Sequence, residues 1–153
     1  MPKADKGFTL VELIIAVLII GLLFGVAVPQ FTGVLADYRL KSDALRLAAE
    51  IRKVQQESVY GKAGSFKIRF LKNNGQYRIE ERVRILETYE LSPGVRMVEV
   101  VLGANPLTFT IDGAPAGGGG RIVLENDRGQ RYYVYIMGAT GRVRASRTAG
   151  EDY

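Results

Sequence analysis

The sequence predicts an α+β chain in which one long N-terminal helix, a transmembrane half followed by an amphipathic half, packs on an antiparallel β-sheet head. Three observations carry that expectation. The run from Phe8 to Val28 is apolar apart from Glu12, helical periodicity continues beyond it toward Gly61, and past Gly64 the apolar spacing changes from helical to alternating.

Composition narrows the function. The chain has 153 residues, a formal net charge of +5, no cysteine and no histidine. That length holds one small globular domain beside the apolar run. Without cysteine there are no disulfides, no thiolate chemistry and no ordinary zinc cluster, and without histidine the commonest general base is missing. No enzyme, cofactor or metal is expected.

The first element is the apolar run, which at about 1.5 Å per residue can cross a hydrocarbon core of about 30 Å. Lys3 and Lys6 precede it and the next charged residue after it is Asp37, so the short basic end stays cytoplasmic and the bulk of the chain is exported. A secretory signal peptide would have a shorter apolar centre followed by a processing site. Here the run reaches Pro29 and continues as a helix, with Leu40, Ala44, Leu47, Ala48, Ile51 and Val54 at helical spacing and charged residues mostly opposite. Gly21, Gly25 and Pro29 add backbone freedom and remove a hydrogen bond, which predicts a bend near Pro29. Glu12 raises a problem, since an ionised side chain inside hydrocarbon costs roughly 2.5–3.5 kcal/mol on insertion scales. Either it snorkels to the headgroups or it is paired.

The second half alternates. "SFKIRFL" puts Phe66, Ile68 and Phe70 on one face and Lys67 and Arg69 on the other, "NNG" supplies a turn, and "QYRIE" returns as a hairpin arm. "RVRIL" repeats the alternation before the "LSPG" turn. Further strands are expected at 95–101, 107–111, 121–125, 130–137 and 141–145, with "NDRG" marking another hairpin.

"KGFTLVELIIAVLIIGLLFGVAVP" resembles the N-terminal signature of type IV pilins and type II secretion pseudopilins, and "FTIDGAPAGGGGRIVLENDRGQRYYVYIMGATGRVRA" resembles the tail of the GspH/FimT minor pseudopilin group. The resemblance implies the pilin fold and a leader, residues 1–7, removed by prepilin peptidase between Gly7 and Phe8 with N-methylation of Phe8. It then implies a transmembrane and filament-core helix over 8–29, an amphipathic half over 30–62 and a β-rich head over 63–153. Glu12 would meet the N-terminal amine of a neighbouring subunit, and the segment from Gly21 to Pro29 would unwind or kink in the filament. The implied partners are other pilin or pseudopilin subunits, prepilin peptidase and the inner-membrane assembly platform, with a cytoplasmic ATPase supplying energy. The implied location is the inner membrane, single-pass, and then a periplasmic or extracellular filament. Many major pilins close their last loop with a disulfide, which this chain cannot form; a shaft-forming major pilin stays an alternative.

Other candidate sites weigh less. "GAPAGGGGR" lacks the Gly-Lys-Ser/Thr ending of a phosphate cradle and reads as a flexible surface loop. Glu80 and Glu81 are adjacent and point apart on a strand, a poor acid/base pair, and Asn126 with Asp127 reads as turn chemistry rather than a calcium site. Arg121, Arg131, Arg142 and Arg144 crowd the last quarter near Tyr132, Tyr133 and Tyr135. In the FimT branch the matching Gly-Arg-x-Arg segment is associated with DNA binding in natural transformation, so nucleic acid is an alternative partner. Ordinary solvation or contact with acidic subunits is the favoured reading of these arginines.

Overall fold

The structure, a computed structural model, describes residues 9–62 and 64–150, without the side chains of residues 26–32 and 62. The chain forms two compact units, Met1–Leu35 and Ala36–Tyr153. Helix α1 (Leu10–Glu57) runs through Pro29. In the first unit every apolar side chain described between Leu10 and Phe24 is exposed.

In the second unit the amphipathic half of α1 behaves as its periodicity predicts. Leu40, Ala44, Leu47, Ala48, Ile51 and Val54 are all buried and form one wall of the core. A kinked turn over Ser58–Lys62 ends the helix at Gly61, whose φ of +87° suits a residue without Cβ.

Among the described residues seven strands follow, in two antiparallel sheets rather than one. The first sheet holds β1 (Phe66–Leu71), β2 (Gln76–Glu81) and β3 (Arg84–Glu90) in that order. Ile68, Phe70, Tyr77 and Ile79 face the core, and Lys67, Arg69, Arg78 and Glu80 occupy the opposite face. Leu86 is an extra residue in β3, because Ile79 pairs with Glu87 and Glu80 with Ile85.

The second sheet orders β4 (Val95–Leu102), β5 (Gly120–Asn126), β6 (Arg131–Ile136) and β7 (Val143–Ser146) as a meander. Its core face carries Met97, Ile122, Leu124, Val134, Ile136 and Val143. The strand expected over 107–111 is absent from both sheets. Leu107 makes one antiparallel bridge to Ile68 and Phe109 one to Pro115, so the alternation buries Leu107 and Phe109 without building a ladder.

Side chains from α1 tie the sheets and loops of the second unit together. Asp43 is buried and accepts from the Ser92 backbone N–H at 2.8 Å and from its hydroxyl at 3.1 Å. Gln55 Nε2 donates to the carbonyls of Gly113, at 2.7 Å, and Gly141, at 3.0 Å, while Arg52 reaches the Val143 carbonyl at 2.9 Å.

The glycine-rich segment differs from the expected flexible loop. It lies at the surface, but a Cβ at Gly119 would collide with the backbone of Ile136 and Gly138, and one at Gly120 with that of Val101 and Leu102. These glycines form a seam in which three chain segments touch backbone to backbone.

Candidate functional site

The N-terminal candidate is built at the first turn of α1. Thr9 precedes the helix and Glu12 lies three residues on. The Thr9 N–H donates to Glu12 Oε2 at 2.9 Å and the Thr9 hydroxyl to the same oxygen at 3.0 Å. In return the Glu12 N–H donates to Thr9 Oγ1 at 3.2 Å. This is a capping box, which satisfies donors that a helix start otherwise leaves unpaired. The sequence carries its signature in "TLVE", a signal that the family resemblance overshadowed.

Glu12 is therefore occupied within its own chain and still exposed. The glycines at 21 and 25 have open space where a Cβ would stand. Gly7 and Phe8 lie outside the described residues, and Pro29 lies inside α1 with its side chain outside them. Among the described residues no helix is long and apolar enough to cross a membrane. The expected span runs from Phe8 to Val28, neither of whose side chains is described.

The arginine candidate lies on the outer face of the second sheet. Register puts Arg121, Tyr135 and Arg144 in one cross-strand row, with Val123, Tyr133 and Ser146 in the next. The Tyr133 and Tyr135 rings stack with centroids 6.0 Å apart. Arg142 and Arg144 are exposed on either side of buried Val143, as the alternation predicts.

Arg121 and Arg131 are both held by carboxylates. Arg121 Nη2 contacts Glu99 Oε1 at 2.7 Å. Arg131 Nε and Arg96 Nη2 each contact Glu125, both at 2.7 Å. Hydrogen bonds from Arg96 and then Arg131 hold the Glu125 carboxyl below the usual carboxylate range. Pairing across strands was not readable from the sequence, since Glu99 and Arg121 are brought together only by the β4–β5 register. Of the remaining candidates, Glu80 is bound to Arg69 and Lys67, and Asn126 Oδ1 accepts from the backbone of Arg128 and Gln130 as a turn residue does.

Comparison with known proteins addresses both halves of the chain. Residues 2–28 match the family model for the prokaryotic N-terminal methylation motif. A fimbrial protein of Pseudomonas aeruginosa is 45% identical over 49 residues, 32% of this chain and 29% of that protein, so the aligned part spans under a third of its length. The minor pseudopilin EpsH from the type 2 secretion system of Vibrio cholerae superposes with a TM-score of 0.58 at 11% identity, covering 71% of this chain and 96% of that one. The type IV minor pilin FimU of Pseudomonas aeruginosa gives 0.59 at 17% identity, covering 72% and 90%. The fold is that of pilins, a long N-terminal helix with antiparallel sheets. Motif and fold are thus each similar to those of type IV pilins and type II secretion pseudopilins.

Proposed function

We propose that this chain is a membrane-anchored structural subunit that assembles into a type IV pilus or type II secretion pseudopilus, as a minor subunit of the GspH/FimT kind. The methylation motif over residues 2–28 carries the reading. The exposed apolar surface from Leu10 to Phe24 supports it, because contiguous apolar surface of that extent requires lipid or neighbouring helices to cover it. Similarity to two minor subunits favours the minor class over a shaft-forming major pilin.

On this reading prepilin peptidase removes residues 1–7 between Gly7 and Phe8, and the Phe8 amine is methylated. Residues 8–29 anchor the subunit in the inner membrane and then enter the filament core, residues 30–62 continue the helix, and the head over 63–153 stands outside the cytoplasm. Glu12 pairs with the N-terminal amine of an adjacent subunit, and Gly21 and Pro29 let the core helix pack and unwind. Losing one member of such a buried pair costs about 3–5 kcal/mol, enough to block recruitment. Partners are other pilin or pseudopilin subunits, the peptidase and the inner-membrane assembly platform. DNA binding is the weaker reading, because Arg121 and Arg131 already hold carboxylates.

The test is intact mass and N-terminal sequence from cells with and without prepilin peptidase, beside a Glu12→Ala variant scored for filament incorporation. The expected result is a chain beginning at methylated Phe8 and a variant that is processed but not assembled. A chain that keeps Met1–Gly7 in cells with the peptidase overturns the proposal.

A further inference from the structure

We propose that the open edge of β3, with the cationic outer face of the first sheet beside it, is a docking site for an extended, acidic strand of another protein. Three observations converge there. The first is the edge itself. β3 ends its sheet, pairing with β2 on one side, and among the described residues no backbone hydrogen bond reaches its other side. Such an edge is a template for strand addition. Its core side is anchored to the helix, where Lys53 contacts Glu87 at 3.6 Å and the Arg46 guanidinium lies 4.4 Å from the Tyr89 ring centroid. These contacts lie on the core side and leave the edge itself open.

The second is charge. Lys67, Arg69 and Arg78 share the outer face with a single carboxylate in their midst, Glu80. Arg69 binds both oxygens of Glu80, at 2.9 and 3.3 Å, and Lys67 contacts it at 3.4 Å. Glu80 is thereby used up. Arg78 stands directly opposite Arg69 on the neighbouring strand, and its Nε is buried without a hydrogen-bond partner. Like charges directly opposite each other destabilise a sheet, and a buried donor left unpaired adds to that cost. A carboxylate arriving at the Arg78 guanidinium offsets that like-charge opposition, although Nε itself is closed to solvent. Glu90, the other acid on this part of the sheet, already accepts from Gln76 at 2.7 Å.

The third is shape. Arg78 pairs with Thr88 on β3, and Glu80 with Ile85. Thr88 is short, so Arg78 can reach across it to a strand laid on β3, which would lie about 9.5 Å from β2. Ile85 is half exposed on the same face and Val83, at the hairpin tip, is 97% exposed. The partner is therefore an extended segment with an acid opposite Thr88 and an apolar residue opposite Ile85. Backbone pairing and apolar contact favour a protein strand over nucleic acid.

The full chain in detergent micelles is titrated with a short blocked peptide that alternates threonine with valine and glutamate, and with the same peptide carrying lysine for glutamate. Binding of the glutamate peptide, rejection of the lysine peptide and slowed amide exchange confined to Arg84–Glu90 are expected. Arg78→Glu reverses the preference, Thr88→Glu weakens the glutamate peptide about tenfold, and Arg142→Gln changes nothing. Thr88 is exposed, so the second variant keeps the test meaningful if the first folds poorly. Unchanged preference in Arg78→Glu, absence of protection on β3, self-association of the chain through this edge, or equal competition by single-stranded DNA would each overturn the proposal.

Discussion

Replacing Gln55 by leucine isolates the contact that joins the helix to two loops of the head. The amide Nε2 bridges the carbonyls of Gly113 and Gly141, 2.7 and 3.0 Å away. Each such bond contributes a net ~0.5–1.5 kcal/mol, and an acceptor left without a partner costs ~1–3 kcal/mol when water cannot reach it. Gly113 and Gly141 are buried and the two bonds part-buried, so the loss is at least the sum of the two bonds, about 2 kcal/mol. For a head of this size that lowers Tm by about 6–10 °C. Thermal melting followed by circular dichroism on the full chain in micelles measures it, and amide exchange locates it. Faster exchange is expected in the loops around Gly113 and Gly141, with β1 and β2 unchanged. A Gln55→Leu chain that melts like the parent, with both loops equally protected, would refute the reasoning.

The glycine seam predicts that Gly119→Ala destabilises by about 1–3 kcal/mol, since the new methyl meets backbone on β6 and beyond it; melting beside Gly118→Ala, whose position is open but has a φ of +91°, separates crowding from backbone strain. Acid should weaken the head through Glu80 and Glu125, whose folded carboxyls are held down chiefly by hydrogen bonds from Arg69 and Arg96 respectively. Their contribution is fully present above the unfolded carboxyl value of about 4.3 and is lost as pH falls through the folded value. A Glu80→Gln, Glu125→Gln chain should melt lower at neutral pH and show a shallower fall of Tm on acidification. Thr9→Val removes the capping hydroxyl and should reduce helix stability by about 1 kcal/mol, read as faster amide exchange over the first turn of α1.

The helix was the most legible part of the chain. A 3.6-residue period depends on one segment alone, and the six positions it marked from Leu40 to Val54 are all buried. Hairpins were readable where turn chemistry was local, as at Gly75, which takes a φ of +61° after "NN". What the sequence left unreadable depends on segments far apart. Alternation at Leu107 and Phe109 marked burial correctly but could not say that the ladder stops at single bridges. Nor could it divide the strands into two sheets. Four glycines in a row look alike whether they are free or pressed against other backbone, and only the approach of Ile136 and Val101 separates the cases. The arginines failed in the same way, because counting charge along the chain misses Glu99 and Glu125 as cross-strand partners. The capping box was local and readable.

On the proposed assembly reading, that box changes what joining a filament would mean for Glu12. A carboxylate already satisfied by Thr9 enters the apolar phase as a lodger in its own helix, so a lone subunit is not poised at the full penalty of a naked ion. Docking of a foreign amine then becomes a swap of one ligand for another. The strength of the join is the difference between two attachments, which is smaller and more reversible than either alone. On that reading a filament built on swaps would come apart again subunit by subunit, with the threonine at each step the group that takes the carboxylate back.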